Sequence, residues 1–417
     1  MQKMVINGGN KLNGEVQVSG AKNAALPILF STLLADGEHI FHNVPDLLDI
    51  KSTRDLLESF GCETSFNNNT LKITVKPLKT YEAHYDLVRK MRASIVCLGP
   101  LLARHKQARV SLPGGCAIGS RPIDFHLNAL EQLGAVSEVT AGYVVSKTSG
   151  LKGAQVMFDM PSVGATTNTL MAAVLADGIT TIENAAKEPE IVDLADYLMK
   201  MGAKIKGAGT GIITIEGVKS LSPSEHNIVA DRIEAGTLLI AGAITGGSVK
   251  VTNCNPKDVE ALISKMREAG FSIEVGKDFV SVNEASSWKA VDVTTTPHPG
   301  FPTDLQAQFM TLMTQADGSS IVTETIFENR FMHVQELLRL NADISTKARV
   351  CVVRGNKGEL TGAPVMATDL RASASLILAG LVAKGETIVN RIYHLDRGYE
   401  KLENKLTKLG ASIKRIE

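Results

Sequence analysis

Apolar residues along this 417-residue chain fall into two patterns that alternate with a period of roughly 70 residues. In the first, small and aliphatic side chains run together with no polar face and end at a turn. Such runs occupy 24–35 before Asp36-Gly37, 94–103, 168–176 before Asp177-Gly178, 236–245 before Gly246-Gly247, 306–316 before Asp317-Gly318, and 373–384 before Gly385. A helix apolar on nearly every side belongs in an interior. Short β-branched strands follow, as at 179–182, 248–251 and 387–389, and four of them lead into an asparagine: Asn43, Asn184, Asn253 and Asn390. In the second pattern apolar residues recur at three- and four-residue spacing with charges between them. Ile191, Leu194, Leu198 and Met201 form one such stripe, and Val259, Leu262, Ile263 and Met266 another. These amphipathic helices stop at Gly61, Gly134, Gly202, Gly270 and Gly410, with Asn341 standing in for a sixth glycine, as left-handed helix ends require.

Six alternating helix–strand copies predict an α/β protein. Three copies wrapped around three buried helices close one domain, so six predict two similar inside-out α/β barrel domains of three repeats each. The division falls near residue 230, giving an N-terminal domain of 22–229 and a C-terminal domain of 1–21 plus 230–417, with an active site expected in the cleft between them. The first twenty or so residues are expected to form a strand pair belonging to the C-terminal domain.

Forty-four basic and forty-four acidic side chains cancel, and no basic stripe is visible, which argues against a nucleic-acid binder. The longest apolar runs, 95–103 and 375–383, are far short of a membrane span. With no signal-peptide pattern and five scattered cysteines, the chain is expected to be cytoplasmic with reduced thiols. No cysteine or histidine spacing suggests a metal site, and the sequence leaves the oligomeric state open.

The residues before each apolar helix carry the candidate chemistry. They are Lys22-Asn23, Arg89 and Arg92, the run Ser162 to Thr166, Asp231-Arg232, Thr303-Asp304, and Thr368 to Arg371. Ser162 and Thr303 read first as ordinary N-caps, with a binding role the alternative. Lys22, Arg92 and Arg371 do not, because a cation beside a helix N-terminus is unfavourable without an anion, so an anionic ligand is expected, with plain surface exposure the alternative. Copy two also swells into a glycine-rich loop, Pro113 to Pro122, carrying Cys116 and Arg121. An insertion in one repeat points to a functional face. The other four cysteines lie in helices or strands and are expected to be buried and inert. The proline-laden approach to Asp304, 297–302, is either a device for holding that carboxylate or a rigid turn. Asp396-Arg397-Gly398 is either site chemistry or a helix-start salt pair.

Taken in order, these strings resemble the enolpyruvyl transferase family over the whole chain. They are Gly20 to Ala24, Met91 to Ser94, the Cys116 loop through Asp124, Ser162 to Thr166, Pro302 to Asp304, Glu328 to Phe331, Thr368 to Arg371, and Asp396 to Gly398. The resemblance implies transfer of the enolpyruvyl group of phosphoenolpyruvate to the 3′-hydroxyl of UDP-N-acetylglucosamine, the committed step of bacterial peptidoglycan synthesis, with no metal or redox cofactor. It implies Cys116 as the acid, adduct-forming group and fosfomycin target, and Asp304 as the base. Lys22, Asn23, Cys116, Arg121, Arg371 and Arg397 would bind phosphoenolpyruvate. Asn23, Arg92, Arg121, Pro122, Ile123, Asp124, Phe125, Ser162, Val163, Asp304 and Ile326 would bind the UDP-sugar. Met160 stands where some relatives carry lysine, and a thioether cannot neutralise a diphosphate. Two readings compete: the sister activity on shikimate 3-phosphate, against which the cysteine loop argues, and a non-catalytic sugar-nucleotide sensor.

Overall fold

The computed structural model describes residues 2–112 and 123–417, so Cys116, Arg121 and Pro122 lie outside the described residues. The chain divides into two compact units, one of 20–112 with 123–229 and one of 2–19 with 230–417, each with its own continuous apolar core. Each unit holds three four-stranded sheets. In all six, one edge strand runs parallel to its neighbour and the remaining pairs are antiparallel, as in Gln155–Met157, Ile179–Glu183, Ile212–Glu216 and Lys204–Lys206. The expected barrel is therefore three separate sheets per unit rather than one closed run of hydrogen-bonded strands.

The all-apolar runs form the buried helices. In the helix Arg232–Ile244 every residue after the first is buried, and in Leu370–Val382 those from Arg371 to Leu381 are. Small residues permit that depth. A Cβ at Gly236 would lie 2.6 Å from Leu305 Cδ1, and one at Gly242 2.7 Å from Val249 Cβ. In copy two the run is broken into a 3-10 turn, Arg92–Cys97, followed by the helix Leu98–His105. The amphipathic helices end where expected, with left-handed backbone at Gly61, Gly134, Gly202, Gly270, Asn341 and Gly410 (φ between 69° and 110°).

The asparagine turns have a definite function. Asn43, Asn184 and Asn253 adopt φ of 55–56°, and each Nδ2 donates to a carbonyl of the neighbouring edge segment: Ile228 at 2.8 Å, Phe158 at 2.9 Å and Val18 at 3.1 Å. Asn390 keeps the same bond, to Val365 O at 3.0 Å, while the left-handed residue shifts to Arg391.

The first two strands depart from expectation, because they do not pair with each other. Lys3–Asn7 lies antiparallel between Glu386–Asn390 and Ser412–Ile416, whereas Asn13–Gln17 runs parallel to Ser248–Thr252. Each completes a different sheet, since two repeats of this unit otherwise lack a strand.

Candidate active site

In the unit of 230–417, Pro302 leads into the 3-10 turn Thr303–Leu305 and the helix Gln306–Met313. That turn presents Asp304, whose side chain is a quarter exposed, to two buried guanidinium groups. Arg330 Nη2 donates to Asp304 Oδ1 at 2.7 Å, and Arg371 Nη2 donates to Oδ2 at 2.9 Å. Burial acts to raise the carboxyl, but the charges of Arg371 and then Arg330 outweigh it and hold Asp304 well below the usual carboxylate range. Thr303 was expected as an N-cap and caps nothing; its hydroxyl donates to Glu324 Oε2 at 2.8 Å.

Arg371 sits in the first turn of Leu370–Val382, with Asp369 capping that helix through the Arg371 and Ala372 N–H groups. Only 4% of Arg371 is exposed, yet its Nε and Nη1 meet no acceptor at hydrogen-bonding geometry among the described residues. The Tyr399 ring lies 5.4 Å from its guanidinium carbon. Tyr399 is held in turn by Thr237 (2.9 Å) and Gln308 Nε2 (3.1 Å). Arg397 ends the adjacent 3-10 turn Ile392–Arg397. The next residue, Gly398, is pressed so closely on Leu370 that a Cβ would fall 2.6 Å from its Cδ2, which brings Arg397 beside the start of the Arg371 helix. Asp396 is gripped by both terminal nitrogens of Arg415 (2.9 and 2.7 Å).

In the unit of 20–229, Lys22 opens the helix Lys22–Ser31 and its Nζ donates to the buried Asp49 carboxylate at 3.0 Å. Lys22 and Arg371 therefore each pair with an internal carboxylate, a partner that the choice between a bound anion and surface exposure did not include. Asn23 is exposed on the same first turn. Ser162 caps Val163–Ala173 by accepting from Ala165 N at 3.3 Å, and Val163 is exposed beside it. Asp124 opens the helix Asp124–Gln132, with Phe125 packed on Phe158 (6.2 Å between ring centres) and Ile123 buried.

His126 joins these two helix starts. Its Nδ1 lies 3.0 Å from Asn168 Nδ2, and a Cβ at Gly164 would be 3.0 Å from its Nε2. Burial, then the nearby Arg92 charge, lowers the imidazole to about 4, so it is neutral at pH 7 and accepts from Asn168. The structure thus gathers Arg92, Ile123, Asp124, Phe125, Ser162 and Val163 in this unit, and Asp304, Arg371 and Arg397 in the other. Met160 is exposed, while Ile326 lies on the turn after strand Gly318–Thr323.

Sequence reasoning missed Asp49, Arg330, Glu324, Tyr399, His126 and Asn168 as supports. Arg330 stood in a string quoted for the resemblance, but no chemistry was attached to it. A lone glutamate interrupting the β-branched run 321–326 was the available signal for Glu324.

The sequence profile of the EPSP synthase (3-phosphoshikimate 1-carboxyvinyltransferase) family matches residues 6–406. A UDP-N-acetylglucosamine 1-carboxyvinyltransferase of Bdellovibrio bacteriovorus is 65% identical over 99% of this chain and 100% of its own length. Proteins of the same name from Myxococcus xanthus (56%, 100% of this chain and 99% of that protein) and Desulfatibacillum aliphaticivorans (55%, all of both chains) are also similar. Among solved structures, the enolpyruvyl transferase NikO from Streptomyces tendae superposes with a TM-score of 0.87 at 26% identity, covering 99% of this chain and 98% of that one. The EPSP synthase of Acinetobacter baumannii, at 17% identity and a TM-score of 0.77 over the full length of both chains, shares the fold. The chain belongs to the enolpyruvyl transferase family, among the UDP-N-acetylglucosamine 1-carboxyvinyltransferases.

Proposed function

We propose that the protein transfers the enolpyruvyl group of phosphoenolpyruvate to the 3′-hydroxyl of UDP-N-acetylglucosamine, releasing phosphate, in the bacterial cytoplasm as the committed step of peptidoglycan synthesis. The observation that carries this reading is Arg371, a buried guanidinium beside a carboxylate whose Nε and Nη1 meet no acceptor at hydrogen-bonding geometry among the described residues. Unpaired buried donors are costly, and a substrate carboxylate or phosphate would satisfy them bidentately.

In this reading the chemistry runs in two steps. The Cys116 thiol, protonated at neutral pH if near its ordinary value of about 8.5, delivers a proton to the methylene carbon of phosphoenolpyruvate. The sugar oxygen bonds to the adjoining carbon as Asp304 takes the hydroxyl proton. Elimination then returns a proton from the new methyl group to the Cys116 thiolate, breaks the carbon–oxygen bond to phosphate and restores the double bond, while Asp304 gives up its proton to the departing phosphate or to water. Lys22, Arg121, Arg371 and Arg397, with Asn23, hold the donor's carboxylate and phosphate. Asn23, Arg92, Arg121, Pro122, Ile123, Asp124, Phe125, Ser162, Val163, Asp304 and Ile326 hold the UDP-sugar.

A carboxylate clamped by two guanidinium groups is ionised but weakly basic. In this reading the donor's anionic groups compete for Arg371, and loosening that clamp makes Asp304 a better base. Phosphate release in the presence of phosphoenolpyruvate and UDP-N-acetylglucosamine tests the proposal. Release with shikimate 3-phosphate alone would transfer it to the sister activity, and binding of the UDP-sugar without release would leave a sensor.

A further inference from the structure

We propose that Glu324 is a positioning residue for the sugar acceptor, acting through Thr303 on Arg330 and Asp304 and through its own turn on Ile326. The proposal rests on the assignment of Asp304 and Ile326 to the acceptor made above. It starts from a break in the repeat. In four of the six copies the position at the end of the core strand is an asparagine whose neutral amide ties the turn to the edge segment: Asn43, Asn184, Asn253 and Asn390. In copy two the strand Gln107–Ser111 runs instead toward the Cys116 loop. In copy five the strand Gly318–Thr323 is followed by Glu324. The two copies that depart from the asparagine rule are those carrying the proposed acid and the proposed base.

The substitution is expensive unless it accomplishes something a turn does not need. Glu324 is fully buried, and a buried carboxylate loses several kcal/mol of hydration that an amide does not. Four neutral donors converge on it. Oε1 accepts from Thr295 Oγ1 (2.8 Å), Ile326 N (2.9 Å) and Phe327 N (3.1 Å), and Oε2 accepts from Thr303 Oγ1 (2.8 Å). The tie to the edge segment has passed to Thr325, whose N–H and hydroxyl both reach Thr295. Glu324 keeps one bond to that segment through Oε1 and turns Oε2 toward Thr303, the residue next to Asp304.

The consequence is directional. A carboxylate can only accept, so Thr303 must spend its hydroxyl proton on Glu324 and leave its oxygen lone pairs for Arg330 Nη1 (3.2 Å). That bond and the Phe327 ring (5.2 Å) fix the guanidinium plane whose Nη2 meets Asp304 Oδ1. The same carboxylate pins the backbone of Ile326. One buried charge thus sets both a carboxylate and an apolar side chain on the acceptor side. An amide at this position could donate to Thr303 and let its hydroxyl turn round.

The test uses the full chain with Glu324→Gln, Thr303→Val and Thr303→Ser. It measures kcat and KM for each substrate by phosphate release, together with unfolding followed by tryptophan fluorescence. Glu324→Gln is expected to raise KM for UDP-N-acetylglucosamine about tenfold and lower kcat about tenfold, with KM for phosphoenolpyruvate within about twofold and the unfolding midpoint little changed. Thr303→Val leaves Glu324 its other three bonds and is expected to reproduce this split, so it decides the matter if Glu324→Gln fails to fold. Thr303→Ser is expected to restore acceptor kinetics, and the Glu324→Gln/Thr303→Val double variant to be no worse than either single one. Unchanged acceptor kinetics, equal losses for both substrates with a lowered midpoint, or additive losses in the double variant would each overturn the proposal. A wild-type chain that releases no phosphate would instead remove the functional reading on which it stands.

Discussion

Replacing Arg330 with methionine removes one of the two cations from Asp304 while keeping most of the side-chain length. The variant loses a charge-assisted bond of 2.7 Å to Asp304, a bond of 3.2 Å to Thr303 and the cation–aromatic contact with Phe327. At about 1.5–3, 1 and 0.5–1 kcal/mol, these sum to roughly 3–5 kcal/mol. Against that, Arg330 is only 6% exposed, so its removal recovers hydration free energy the native state gives up, while Asp304 keeps Arg371 and some solvent. The net expectation is a loss of about 2–3 kcal/mol at pH 7.

Trp288, the chain's single tryptophan, is buried in the core of the same unit, so urea unfolding followed by its fluorescence reads that unit. The pH dependence carries a sign. A carboxyl held below its unfolded value contributes stability above about pH 4 and loses it as pH falls through the folded value. With one guanidinium gone the folded value rises toward the ordinary one. The gap between wild type and variant should therefore be full at pH 7 and narrow below about pH 4. A loss under about 0.5 kcal/mol at pH 7, or a gap that widens as pH falls, refutes the reasoning.

Other outcomes follow from the same structure. Cys116→Ala should lower turnover by about 10²–10⁴, the range for losing a general acid, as phosphate release will show. Fosfomycin should alkylate Cys116 alone in peptide mass analysis, because burial pushes Cys62 up to about 12 and Cys254 and Cys351 up to about 11, leaving almost no thiolate on them at neutral pH. Gly20→Ala should yield little folded protein, since a Cβ there would fall 1.7 Å from Asn43 O; normal expression and unfolding would contradict the packing described. Asn43→Ala should cost about 1–2 kcal/mol in urea unfolding, through the lost bond to Ile228 O and a left-handed backbone that alanine tolerates poorly.

The repeat, the buried helices and their glycine ends were legible because each is a local pattern: apolar on all sides, or left-handed after an amphipathic run. The cations at helix starts were legible as anomalies, but their partners were not. Asp304 meets Arg330 26 positions on and Arg371 67 positions on, and Lys22 meets Asp49 27 positions on, pairings set by how helices and turns pack rather than by neighbouring residues. The Thr303 hydroxyl looked like a cap because a threonine before a helix usually is one; the buried carboxylate of Glu324 outbids the backbone. The opening strands read as a hairpin because nothing local says that each is wanted by a different sheet.

That last feature constrains how the chain is made. Lys3–Asn7 leaves the ribosome early but pairs along its length with Ser412–Ile416, and Arg415 reaches Gln2 across 413 positions. The unit of 20–229 can fold as it emerges, whereas the sheet that takes both ends must wait until synthesis has passed residue 416. A ribosome stalled after residue 229 has emerged but before Ser412–Ile416 has done so holds one finished half and one half with its first strand still unclaimed.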